Sequence, residues 1–209
     1  MQFYDCATAI NPRRVRIFLA EKGVTVPTVQ VNLREGEQFS EPFRRLNPWC
    51  TVPVLVLDDG TAISEAIAIC RYLEARFPDP PLMGGDARDQ GLVSMWEHRC
   101  EVDGLLAAQE IFRNSAPGMK GRALTGAAAV EQIPALVERG EARLNRFFTM
   151  LDEQLKYSRF VAGEAFSVAD ITLFCVVEFA ARIRVPAPEG LAALHRWHAE
   201  VSARPSVTA

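Results

Sequence analysis

Asn47-Pro48-Trp49-Cys50-Thr51-Val52-Pro53-Val54-Leu55-Val56-Leu57, then Asp58-Asp59-Gly60, then Thr61-Ala62-Ile63-Ser64-Glu65, is the stretch on which the reading of this chain turns. Val52 to Leu57 is an apolar run of strand length, and Asp-Asp-Gly supplies the hairpin turn into a second strand over Thr61 to Ile63. Pro53 has no amide hydrogen to give to a sheet, so its place beside that strand is a conflict. An ordinary trans proline at the strand start is the commoner arrangement in isolation, but in the strand and helix order that surrounds this one a turn-like cis Val52-Pro53 bond is expected. The cis form would leave the Val52 N–H and C=O facing outward, able to pair with an extended peptide by strand addition.

Upstream, Gln2 to Cys6 is a short mixed run, followed by Asn11-Pro12 with the chemistry of a helix start. Val15, Phe18 and Leu19 repeat at helical spacing, and Gly23 ends the run as a C′ glycine does. Val24 to Leu33 reads as a second strand, parallel to the first through a right-handed crossover. A short helix over Ser40 to Leu46 ends at Asn47-Pro48, and a further helix runs from Ser64 with Ala66, Ile69 or Cys70, Leu73 and Phe77 on one face.

The order is βαβαββα, a four-stranded mixed sheet with helices packed on it. Pro78-Asp79-Pro80-Pro81-Leu82-Met83-Gly84-Gly85 is a dense cluster of helix and strand breakers. The domain boundary is placed there: 1–78 as one domain, 79–89 as linker, 90–209 as the second. Beyond it the periodicities are helical, through Leu92, Trp96 and Cys100, then Leu144, Phe147, Phe148 and Leu151, then an element from Ser167 that is apolar nearly all round, and a last helix through Leu191, Leu194, Trp197 and Val201.

Composition narrows the function classes. The 209 residues are 49% hydrophobic and carry 23 Lys+Arg against 26 Asp+Glu, a net charge of −3 with no basic block for phosphates, which argues against nucleic acid. The N-terminus shows no secretory pattern, and no apolar run is long enough to span a bilayer, so a cytoplasmic address is expected. Cys6, Cys50, Cys70, Cys100 and Cys175 are an odd set without a CxxC pair, read as reduced thiols. His195 and His198, three apart on the last helix, have no matching acid or cysteine motif, and no metal is expected.

Ser64-Glu65 at a helix N-terminus puts a hydroxyl and free backbone N–H groups beside a carboxylate. Such a pair can hold both charged ends of an α-amino acid, though a plain Ser cap with a first-turn acid has the same pattern. Ser167 and Asp170 form an S-x-x-D capping box, which is architecture.

Asn47 to Leu55, the turn and Ser64-Glu65-Ala66-Ile67 closely resemble the glutathione site of the cytosolic glutathione S-transferase superfamily. The likeness extends to Pro12 to Gly23 and to Phe166-Ser167-Val168-Ala169-Asp170, and covers in effect the whole chain. It implies an α/β thioredoxin-like N-terminal domain that holds glutathione and an all-α C-terminal helical bundle that shapes the pocket of a small hydrophobic electrophile, with Phe112 and Met119 as candidate lining.

By that resemblance Thr51, Val52 and Pro53 meet the cysteinyl unit of glutathione, Ser64 and Glu65 the γ-glutamyl end, and Gln38 the glycine end as in related bacterial members. Asn11 takes the place of the Ser or Cys that activates the thiol in several classes, which makes this an Asn variant of the bacterial Ser/Cys/Asn type. Thr8 is a second donor, Tyr4 a rival that lies about one residue early, and Cys6 a glutaredoxin-like candidate if exposed. Asp103 is the residue expected to reach the glutathione amine of a partner in a homodimer. The expected activity is transfer to electrophiles, in detoxification; glutathione-dependent reduction of disulfides or peroxides, and a non-catalytic binding role, are the alternatives.

Overall fold

Strand β1 (Gln2–Asp5) pairs in parallel with β2 (Thr28–Gln30) on one side and antiparallel with β3 (Val54–Val56) on the other. β4 (Ala62–Ser64) completes the order β2-β1-β3-β4. In this computed structural model, which describes residues 1–209, helices α1 (Ile10–Glu21), α2 (Glu41–Leu46) and α3 (Ala66–Arg76) join the strands in the order βαβαββα. The chain divides into two units, Met1–Pro80 with Thr125–Ala128 and Thr208–Ala209, and Pro81–Leu124 with Ala129–Val207.

Period-two alternation sorts the sheet residues between two faces. Tyr4, Cys6, Val52, Val54 and Val56 cluster with Phe43 of α2 on one face. Phe3 and Leu55, both buried, point to the other, where α3 packs on β3 and α1 lies along α3 through the buried Val15, Phe18, Ile69 and Leu73. Gly23 (φ 64°) ends α1 in the left-handed conformation and Gly60 (φ 88°) turns the hairpin, as their sequence settings predict.

Three local expectations change. α1 begins at Ile10 with Ala9 at its cap position, so Asn11 is the second helical residue and not the cap, and Pro12 sits in the first turn where its missing N–H costs nothing. The second strand is confined to Thr28–Gln30, because Pro27 precedes it and the chain turns into the 32–36 loop after Val31. Ser64 ends β4, and the residue at the head of α3 is Glu65.

The second unit is helical: α4 (Ala87–Arg99), a π-helical turn (Cys100–Leu105), α5 (Leu106–Ser115), α6 (Ala135–Leu155), α7 (Val168–Arg182) and α8 (Ala192–Ser202). α4 starts inside the stretch expected as linker. The π-helical turn brings Gly104 so close to Phe147 that a β-carbon there would lie 2.6 Å from the ring, which explains a glycine in mid-helix. α7 is buried along nearly its whole length, as its all-round apolar sequence predicts.

Two carboxylates order the helix ends of this unit. Asp152 of α6 accepts from the Ala193 and Leu194 N–H groups at 2.8 and 3.0 Å, capping α8 from another helix. Asp170, fully buried, accepts from Val161 N (2.9 Å), Ser167 N (3.0 Å), Ser167 Oγ (3.0 Å) and Trp197 Nε1 (2.8 Å). No helix is long and apolar enough to cross a membrane, and no group of three or more His, Cys, Asp or Glu is arranged to hold a metal ion.

Candidate functional site

The loop before β3 is built on Asn47, whose structural role has no local signature beyond the Asn-Pro pair. Its side chain is 1% exposed; Nδ2 donates to Thr51 O (2.8 Å) and Thr51 Oγ1 (2.9 Å), while Oδ1 accepts from Trp49 N (3.1 Å). Cys50 adopts φ 56° and is buried, its thiol turned to Pro48 O at 3.6 Å, which fits a small filler. Trp49 stays 73% exposed, and Gly126 (φ 104°) of the 125–128 segment lies close enough that a β-carbon would sit 3.7 Å from Trp49 O.

This frame delivers Val52 to a cis bond with Pro53. The Val52 side chain is buried in the sheet-face cluster, but its N–H and C=O take part in no hydrogen bond of the chain. A main-chain donor and acceptor are thus available to an extended guest. Asn47→Ala is expected to lower stability by about 2 kcal/mol, since it removes three hydrogen bonds around a buried turn. It should weaken glutathione binding in the same measurement series, by thermal melts and titration; binding and Tm both like wild type would show that Asn47 does not hold this loop.

Beside it lies the start of α3. Glu65 has φ 69° and ψ 125°, a backbone conformation in which a residue with a β-carbon is strained. No side chain caps the helix, so the N–H groups of its first turn are open to an anion. The Ser64 hydroxyl and the exposed Glu65 carboxylate make no polar contact with the rest of the chain. The helix head falls on Glu65 and not on Ser64, and the positive φ at Glu65 leaves its carboxylate exposed beside the half-buried Ser64 at the strand-to-helix junction.

Gln38, the residue matched to the glycine end of glutathione, lies in a 3₁₀ turn (Glu37–Phe39) and is only 4% exposed. The turn is fixed by Asn32 N donating to Glu37 Oε2 (2.6 Å) and by Asn32 Oδ1 accepting from Arg34 N (3.1 Å). Gln38 Oε1 is buried without a hydrogen-bond partner, an arrangement that a bound donor would relieve.

Asn11 is half-buried, with Oδ1 accepting from Arg14 Nη1 at 3.2 Å. Arginine only donates, so this contact fixes the amide with its oxygen toward Arg14 and its NH₂ free to donate elsewhere. Thr8 is exposed on the β1–α1 loop, and its Oγ1 lies 3.5 Å from Cys6 Sγ. Cys6 is buried, not the exposed thiol that a glutaredoxin-like role requires. Tyr4 turns edge-on to Phe43, with its hydroxyl donating to Gln2 Oε1 at 3.2 Å.

Asp103 lies in the π-helical turn and pairs with Arg143 at 3.3 Å, so its carboxylate already has a cationic partner. Phe112 meets Phe179 edge-on at 5.6 Å, and Met119 closes a 3₁₀ turn (Pro117–Met119). His198 Nε2 lies 2.9 Å from Glu178 and its ring stacks on Phe174, while His195 Nε2 lies 2.9 Å from Pro188 O.

Known proteins similar to this chain cover nearly its whole length. The family model for the glutathione S-transferase N-terminal domain matches residues 10–76, and that for the C-terminal domain matches residues 112–205. Glutathione S-transferase 2 of Saccharomyces cerevisiae is 36% identical, over 99% of this chain and 88% of that protein. Among solved structures, a glutathione S-transferase domain-containing protein of Marinobacter aquaeolei is 36% identical with a TM-score of 0.93, covering 99% of this chain and 100% of the other. The crystal structure of Gtt2 from Saccharomyces cerevisiae is 34% identical with a TM-score of 0.91, covering 100% and 99%. The chain belongs to the glutathione S-transferase family.

Proposed function

We infer that this chain is a glutathione transferase whose first unit binds the tripeptide across Val52 and the head of α3 and lowers the pKa of its thiol. The observation that carries this reading is the unpaired main chain of Val52 beside an uncapped helix start, with Ser64 and Glu65 at the same junction. Val52 pairs with the cysteinyl backbone, while Thr51 and Pro53 set that edge. Ser64 and the α3 N–H groups take the γ-glutamyl carboxylate, and Glu65 takes its ammonium. The buried Gln38 Oε1 accepts from the amide N–H of the glycine unit.

A free thiol titrates near about 8.5 and is only a few per cent ionised at neutral pH, so the site must favour the anion. The Asn11 NH₂, with its oxygen committed to Arg14, is the first choice as donor to the sulfur, and the Thr8 hydroxyl the second. Once ionised, the sulfur forms a bond to an electrophilic carbon of a small apolar co-substrate, the leaving group departs with the bonding electron pair, and the thiol proton passes to solvent. A homodimer, with Asp103 near the partner's glutathione, a cytoplasmic address and a role in detoxification complete the proposal.

Asn11→Ala is expected to raise the apparent pKa of bound glutathione by about one unit, equivalent to about 1.4 kcal/mol of lost anion stabilisation. The pH profile of kcat/KM with an aryl halide reads it. An unchanged profile would transfer the role to Thr8.

A further inference from the structure

Ala7 is exposed in the loop between β1 and α1, yet its backbone N–H and C=O are both tied, through two side chains, to one buried carboxylate. Its N–H donates to Gln30 Oε1 at 3.0 Å and its C=O accepts from Arg16 Nη2 at 3.2 Å. The same side chains close on Asp5, which is 2% exposed: Arg16 Nη1 donates to Oδ1 at 2.6 Å and Gln30 Nε2 to Oδ2 at 2.7 Å. Asp5 and Gln30 are register partners across the β1–β2 pair, and Arg16 comes from the second turn of α1. The hydrogen bonds therefore form a closed ring through two strands, a helix and the loop.

Such a ring is not the simplest way to hold a sheet to a helix. A carboxylate at this depth opposes burial unless fully compensated, and apolar packing would stabilise the same junction as well. What the ring adds is position. Within the loop itself Ala9 N–H donates to Cys6 O at 2.9 Å. The loop nevertheless carries Thr8 and runs directly into the first turn of α1, where Asn11 stands.

We propose that Asp5, Gln30 and Arg16 are positioning residues that fix the Cys6–Ala9 loop, and through it Thr8 and Asn11, at hydrogen-bonding distance from the thiol of bound glutathione. This rests on the transferase reading above and deepens it. Glutathione is gripped elsewhere, by Val52, Ser64 and Glu65, so loosening the ring separates thiol ionisation from binding: a donor displaced by an ångström loses the sulfur while the tripeptide stays.

Gln30→Ala and Arg16→Lys test this. Gln30 is exposed on the edge strand, so its truncation leaves the core intact. Lysine at position 16 keeps a cation for Asp5 but lacks the planar fork that reaches Asp5 and Ala7 together. In both variants the thiolate absorbance of the glutathione complex should titrate about half to one unit higher than in wild type, and kcat/KM at neutral pH should fall about threefold to tenfold. KM for glutathione should stay within about twofold, and the Ala7 amide should exchange faster with solvent.

A purely structural ring would lower Tm and leave the thiolate titration where it is. That result, in a wild type that binds glutathione and ionises its thiol, overturns the proposal. A wild type that does neither overturns the transferase reading instead.

Discussion

Asp170→Ala is expected to lower the stability of the chain by about 4 kcal/mol, because four donors converge on one carboxylate and three of them are fixed N–H groups that nothing else can satisfy. The loss joins three places in the helical unit: the head of α7, the Val161 turn and the Trp197 indole of α8. Urea unfolding followed by tryptophan fluorescence measures it. A variant as stable as wild type would show that the network is ornamental.

The same residue gives the stability a pH dependence. Burial raises the Asp170 pKa from 3.8 to about 6, against the lowering effect of its bonds from Val161, Trp197 and Ser167. The folded chain therefore holds this proton more tightly than the unfolded chain, so ionisation opposes folding. The contribution is most favourable below about pH 4 and declines as the pH rises through 4 to 6, by up to about 3 kcal/mol, and is constant above that. Asp170→Asn does not titrate, so the wild-type advantage over it should shrink across this window. An advantage that grows with pH there would refute the assignment.

Glu65→Gly is expected to separate stability from binding. Glycine adopts φ 69° without a β-carbon clash, so relief of roughly 1–3 kcal/mol of strain outweighs its larger conformational entropy. Net gain should be about 1 kcal/mol, or roughly 2–4 °C in Tm for a chain of this size. The carboxylate that holds the ammonium of glutathione is lost, so affinity should fall about tenfold to a hundredfold. Glu65→Gln keeps the backbone and removes only the charge; its Tm should match wild type while its affinity falls as in the glycine variant. Calorimetric titration and thermal melts on the pair decide the matter. Glutathione binding of wild-type strength in Glu65→Gln would remove Glu65 from the site.

What the sequence could reveal follows the range of the forces involved. Gly23, Gly60 and the Ser167–Asp170 box act on their own neighbours, and each stands in the structure as its setting predicts. The all-round apolar pattern of α7 likewise reports its burial directly. Ser64 and Glu65 were legible as a pair, but the one-residue shift of the helix head was not, since glutamate carries no preference for positive φ.

Other features depend on contacts that no local pattern encodes. Gln38 is buried by a three-residue turn that Asn32 and Glu37 stabilise, and the polar composition of that loop carries no sign of the burial. The ring through Asp5, Arg16 and Gln30 requires the β1–β2 register, which the sequence specifies only as a parallel pair. The membership of Thr125–Ala128 in the first unit joins residues far apart in the chain. The π-helical turn at Cys100–Leu105 left no trace in the spacing of apolar residues, since the buried Trp96, Cys100, Gly104 and Ala108 keep a step of four through it.

Whether this site binds glutathione and stabilises its thiolate is read most directly by an ultraviolet titration of the thiolate in the complex of the wild-type chain with glutathione. Ionisation is expected about one to two units below the free thiol value of roughly 8.5. A thiol that titrates as it does in free solution, or a chain that fails to bind glutathione at all, would contradict it.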